Sequence, residues 1–134
     1  MKGTYILVIF LKENSKIEIG SLGEISFSKG YYLYVGSAMG NYGSATLINR
    51  VKRHLLDSNN KKLYWHIDFL LDNSNSLIKK IYLIPSLQTY ECTIAKEILL
   101  FSDNYINKFG CSDCHCKSHL LYFKRFSLFK SQFL

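Results

Sequence analysis

The chain has 134 residues, 48% hydrophobic and 20% charged, which suits one domain with a core of its own and excludes a disordered chain. A single Pro and 8 Gly exclude collagen-like and low-complexity readings. Lys plus Arg total 17 against 10 for Asp plus Glu, and the resulting charge of +7 favours a polyanionic partner, nucleic acid first and anionic lipid second.

The N-terminal apolar run, residues 5 to 11, is far shorter than the ~20 residues of a spanning helix. It also lacks the small-residue cleavage site of a signal peptide. A cytoplasmic protein with no membrane partner is expected. Its four Cys are then thiols or metal ligands rather than disulfides.

Residues 3 to 12 (GTYILVIFLK) are rich in β-branched and aromatic side chains and read as a buried strand. Residues 16 to 19 (KIEI) and 24 to 28 (EISFS) read as short strands. The Lys29-Gly30 turn leads into an aromatic strand at 31 to 35 (YYLYV). Residues 36 to 45 (GSAMGNYGSA) read as a loop, with Ser44 or Thr46 capping a helix at 46 to 56. In that helix Leu47, Ile48, Val51 and Leu55 form the apolar stripe, and Arg50, Arg53, His54 and Asp57 the opposite side. After a polar break at 58 to 62, residues 63 to 71 (LYWHIDFLL) read as a second helix, with a strand as the alternative. Residues 77 to 84 read as a strand stopped by Pro85, and residues 91 to 101 as a third helix opened by Gln88 or Thr89. A Cys-rich segment, 109 to 134, ends the chain and holds a final strand at 119 to 126 (HLLYFKRF). With no linker, repeat or compositional break, the expectation is one α+β domain: a central, mostly antiparallel sheet flanked by helices.

Gly3-Thr4-Tyr5 on the first strand and Tyr34-Val35-Gly36 on a later one resemble the two halves of the GIY-YIG nuclease signature. The helix after the second half carries Arg50 and, one turn on, His54, a spacing similar to that superfamily's. Five ordered segments, YLYVGSA, RVKRH, YWHIDFLL, EC and SDCHCKSHL, resemble its DUF123 branch over nearly the whole chain. That branch consists of small archaeal and bacterial domains, sometimes joined to a DNA-repair endonuclease III. The resemblance implies a GIY-YIG-like fold with residues 16 to 28 as an inserted strand pair or loop. It also implies metal-dependent endonuclease chemistry on nucleic acid, DNA first, in repair or processing. By the same resemblance His66 is a site residue, and Glu91 is the metal carboxylate, with Glu97 and Asp68 as rivals.

The residue types suit that chemistry. Phosphodiester cleavage needs an activated water, stabilisation of phosphate charge and help for the leaving oxygen. Arg50 offers a planar, permanently charged fork, and His54 lies at i+4 from it. Tyr5 or Tyr34 can act as base or bind the attacking water, given a nearby cation to lower a pKa near ~10. Mg²⁺, or Mn²⁺, on Glu91 would polarise the phosphate. Lys52, Arg53, Lys61 and Lys62 are candidates to track a phosphate backbone, and Tyr31, Tyr32, Tyr42 or Trp65 to stack on an unpaired base.

Three Cys and two His fall within residues 111 to 119, with Cys92 on the preceding helix. Cys92, Cys114, Cys116 and His119 could complete a structural Zn²⁺ tetrahedron if the tail folds back onto that helix. The alternative is a group of reduced thiols. Two other function classes stay open: a non-catalytic nucleic-acid-binding module of the same fold, and a small zinc-stabilised interaction domain.

Overall fold

The computed structural model describes residues 1–57, 59, 61–111 and 115–126. The long apolar run forms β1 (Gly3–Leu11), followed by a hairpin of β2 (Ser15–Glu18) and β3 (Glu24–Phe27), and then by β4 (Gly30–Ala38). Helix α1 (Leu47–Leu55), helix α2 (His66–Asp72), β5 (Ser76–Pro85), helix α3 (Glu91–Leu99), β6 (Asn104–Tyr105) and β7 (Leu120–Phe123) complete the order. The fold is α+β. Five strands form one sheet in the order β5-β1-β4-β7-β6, every neighbouring pair antiparallel.

The near-continuous apolarity of β1 has a simple cause: both faces of this interior strand are covered. Tyr5, Leu7, Ile9 and Leu11, with Tyr32, Tyr34 and Ala38 of β4, pack against Leu47 and Val51 of α1 and Ile67 and Leu70 of α2. The β2–β3 hairpin adds Ile17, Ile19 and Phe27 to this cluster, so the inserted segment is part of the core. The opposite face sets Val35 and Leu121 against Ala95, Ile94 and Ile98 of α3.

Several boundaries differ from the sequence reading. β4 runs on through Gly36, Ser37 and Ala38, because β1 supplies a partner for each of them. Within the expected loop a 3-10 turn, Gly43–Ala45, precedes α1, and Thr46 caps that helix by accepting from the Asn49 N–H. α2 starts at His66 rather than at residue 63, because the Asp68 carboxylate accepts the backbone N–H groups of Tyr64 and Trp65 and fixes the helix start there. The N-cap of α3 is Tyr90, with no side-chain cap from Gln88 or Thr89. The final strand is shorter than 119 to 126, and its edge partner β6, only two residues long, carries no readable alternation.

His54 is the main correction on α1. It sits not on the polar side but on the buried row with Leu47 and Val51, which are seven and three residues before it. Leu55, expected on the apolar stripe, is 57% exposed, one residue and therefore ~100° further round.

Arg53 and Asp68 tie α1 to α2. The guanidinium donates to both carboxylate oxygens, at 2.8 and 3.0 Å, and to the Lys62 carbonyl at 2.9 Å. Burial alone would raise the Asp68 carboxyl, but Arg53 and the two backbone donors outweigh it and hold it below the usual carboxylate range. Asp68 is fully buried, so Asp68→Ala leaves Arg53 and two N–H groups without their acceptor. The expected loss is about 3 kcal/mol, read as a lower urea midpoint with an unchanged m-value. Because the folded-state pKa is depressed, this contribution is full at neutral pH and fades as pH falls through that depressed value.

Candidate functional site

The site begins with strand register. Tyr5 pairs across β1 and β4 with Gly36, and Leu7 with Tyr34. Both tyrosines therefore lie on the face covered by α1, with ring centroids 6.3 Å apart. Gly36 makes this possible, since a Cβ there would run into the ring and hydroxyl of Tyr5. The Tyr5 hydroxyl meets Nε2 of His54 at 2.6 Å. His54 is 2% exposed. Burial, opposed by Asp68 and reinforced by Lys61, Arg53 and Arg50, pushes its pKa down to about 4. Burial likewise drives the Tyr5 and Tyr34 hydroxyls well above their ordinary range. Arg50 opposes the rise at both, while Glu91 adds to it. The lowering that a nearby cation was expected to give is present, but burial exceeds it.

Above this pair opens a cleft of about 430 Å³. Tyr5 and Tyr34 form its base. Arg50 comes from α1, Trp65 and His66 from the start of α2, Glu91 from the start of α3 and Gly110 from the loop before β7. The turn at Gly20 and Ser21 in the inserted hairpin closes one side. Arg50 donates one hydrogen bond, from Nη1 to the Ser37 carbonyl at 2.9 Å, and its buried Nε has no partner among the described residues. Its guanidinium carbon lies 4.9 Å from the Trp65 ring centre. His66 accepts the Gly110 N–H at Nδ1, at 2.9 Å. A neutral ring then carries its proton on Nε2, and burial lowers the His66 pKa and favours that neutral form. Gly110 has φ +74°, and a Cβ there would crowd His119 and Tyr34 at 3.2 and 3.3 Å. A side chain at this position would disturb both the turn and the cleft base.

Of the three candidate carboxylates, Glu91 alone lines the cleft. It stands in the first turn of α3 with a side chain 21% exposed. Asp68 is sealed by Arg53, and Glu97 lines a separate apolar groove with Ile6, Tyr82 and Phe123. Glu91 Oε2 is 3.4 Å from His119 Nδ1, while His119 Nε2 is 3.6 Å from Cys92 Sγ. Cys92, Cys116 and His119 bring their ligand atoms within 4.8 Å of one another, so this cluster could hold a metal such as zinc. Cys114 lies outside the described residues.

The basic candidates divide. Lys52 and Lys62 are exposed. Arg53 is engaged by Asp68. Lys61 is half-buried, with Nζ 3.4 Å from the carbonyls of Arg53 and His54 at the C-terminus of α1, where a cation offsets the helix dipole. Burial lowers its pKa. Among the stacking candidates, Tyr32 is corrected: at 1% exposure it is core, its hydroxyl bound to the Ser28 carbonyl. Tyr42 is fully available at 85% exposure. Trp65 already carries Arg50 and Arg53 against its ring. Sequence reasoning missed Gly110, Ser37 and the Gly20–Ser21 wall, all of which act through backbone or shape. No residue type signals such roles.

Two outcomes follow from the base of the cleft. Because folding depresses the His54 pKa from 6.5 to about 4, the unfolded chain binds more protons between those values. Stability is therefore full above pH ~6.5 and falls by roughly 3 kcal/mol as pH drops to ~4. Urea titrations across that range read the slope, and His54→Gln removes it. Gly36→Ala displaces the Tyr5 ring; the disappearance of the Tyr5–His54 hydrogen bond from imidazole NMR spectra checks this.

Among the described residues no helix is long and apolar enough to cross a membrane. No curated protein and no solved structure matches this chain. One family does match, described as "Domain of unknown function DUF123", over residues 4–133. The match spans the strands, the three helices and the cleft between them, and the chain belongs to the DUF123 family.

Proposed function

We propose that the cleft is the active site of a metal-dependent endonuclease of the GIY-YIG type, acting on DNA. The observation that carries this reading is the convergence of Tyr5, Tyr34, Arg50, His66 and Glu91, each from a separate element, on one cleft.

Arg50 grips the scissile phosphate. It donates once to Ser37 and keeps its remaining Nη donors for phosphate oxygens. His66, with Nδ1 occupied by Gly110, offers Nε2–H to a second phosphate oxygen. Tyr5 positions the attacking water. Its hydroxyl is too strongly held in the neutral form to act as a free phenolate. It accepts the water's proton only as it passes its own to His54, which is neutral above about pH 4. The buried pair therefore works as a short relay. Among the described residues Glu91 is the single cleft carboxylate, partly exposed, and that suits Mg²⁺ or Mn²⁺, which bind through one or two carboxylates, waters and substrate phosphates. The bound ion would supply charge neutralisation on the phosphate and at the leaving oxygen.

The test is cleavage of labelled single-stranded, duplex and branched DNAs and RNAs with Mg²⁺, Mn²⁺ or EDTA. Metal-dependent cutting is expected, lost by at least ~100-fold in Arg50→Ala, with binding retained to within a few-fold because one phosphate contact of several is removed. Binding itself is expected to weaken steeply with salt as counterions are released. Unchanged cutting by Arg50→Ala overturns the assignment. Tight, salt-sensitive binding without any cutting assigns the fold to a non-catalytic nucleic-acid module.

A further inference from the structure

We propose that Cys92, Cys116 and His119 bind a zinc ion, independently of any nuclease activity, and that Glu91 is the outer carboxylate that orients His119. Four observations support this.

The first is spacing. A tetrahedral zinc with bonds of ~2.3 Å to sulfur and ~2.0 Å to nitrogen sets neighbouring S and N donors ~3.6 Å apart. Cys92 Sγ and His119 Nε2 are 3.6 Å apart, and Cys116 completes a trio whose donor atoms all lie within 4.8 Å. The second is donor chemistry. Two thiols and an imidazole select soft or borderline divalent ions over Mg²⁺ or Ca²⁺. That separates this centre from the Glu91 carboxylate facing the cleft.

The third is the surroundings of His119. Glu91 stands 3.4 Å from Nδ1. From there a hydrogen bond from Nδ1–H to the carboxylate would fix the tautomer and leave Nε2 bare for a metal. The fourth is preorganisation. His119 is 1% exposed and Cys116 8% exposed. The His119 N–H donates to the Phe109 carbonyl at 2.8 Å, and its carbonyl accepts from the Val35 N–H at 2.9 Å. The His119 backbone is therefore tied to β4, and Cys92 stands in the first turn of α3. An ion here would pin the loop after β6 to α3 and hold the start of α3 beside the cleft.

The test uses the whole chain, purified without chelators, and reads metal rather than cleavage. About one zinc per chain by plasma mass spectrometry is expected. Blocking thiols on the wild-type protein with a mercurial is expected to release that zinc to a chromogenic chelator. Cobalt substituted into the wild type is expected to show thiolate charge-transfer absorption. Cys116→Ser and His119→Ala are expected to retain less than a tenth of the wild-type zinc, and Glu91→Gln to weaken zinc binding ~10-fold or more in chelator competition. Less than a tenth of an equivalent in the wild type, or zinc that survives thiol blocking, overturns the site. An unchanged affinity in Glu91→Gln overturns the role of Glu91. The wild-type readouts need neither a variant nor catalysis. They decide the zinc site even where a variant misfolds or no nucleic acid is cut.

Discussion

The contact on which the site depends is the packing of Tyr5 against Gly36. Two adjacent antiparallel strands place these residues opposite each other, and the missing side chain of Gly36 lets the Tyr5 ring lie down on β4. From there the hydroxyl reaches under α1 to His54. The hydrogen bond links β1 to the helix that also carries Arg50, and Tyr5 and Tyr34 both line the cleft. A larger residue at position 36 would have to lift the ring, and with it the hydrogen bond that joins β1 to α1.

Electrostatics then sorts the charged groups into two kinds. Arg53 and Asp68 satisfy each other, aided by backbone groups at the start of α2, and hold the two helices that flank the cleft. Arg50, one turn earlier on the same helix, has no carboxylate partner among the described residues and faces the cleft instead. A guanidinium held by a single carbonyl bond and stacked near Trp65 is rigid enough to aim and free enough to bind an anion. On the far side Glu91 lines the cleft and also stands 3.4 Å from His119 of the Cys92–His119 cluster.

Much of this was legible in the sequence. The β1 run, the two hairpin strands and the Arg50 helix were readable from period and composition, and the tripeptides around Tyr5 and Tyr34 marked residues that do share a cleft. His54 was legible as a site candidate but not as a buried one. Its polarity argued for the exposed side, while its place three residues after Val51 argued for the core, and tertiary packing decided for the core. The role of Asp68 was also hidden, because a carboxylate three residues into a helix can serve a cap, a metal or a partner cation equally well. The contributions of Gly110 and Ser37 come from backbone groups, which any residue carries. The hairpin between β1 and β4 read as an insertion, yet its turn walls the cleft, and only its place in the fold reveals that.

The most direct test of the buried relay is single-turnover cleavage by Tyr5→Phe beside wild type, with binding measured on the same substrate. This substitution keeps the ring against Gly36 and removes only the hydroxyl that His54 holds. A working relay predicts binding within about threefold of wild type and cleavage slowed by ~100-fold or more. Cleavage at the wild-type rate would contradict it, because the buried pair at the base of the cleft would then have no part in the chemistry.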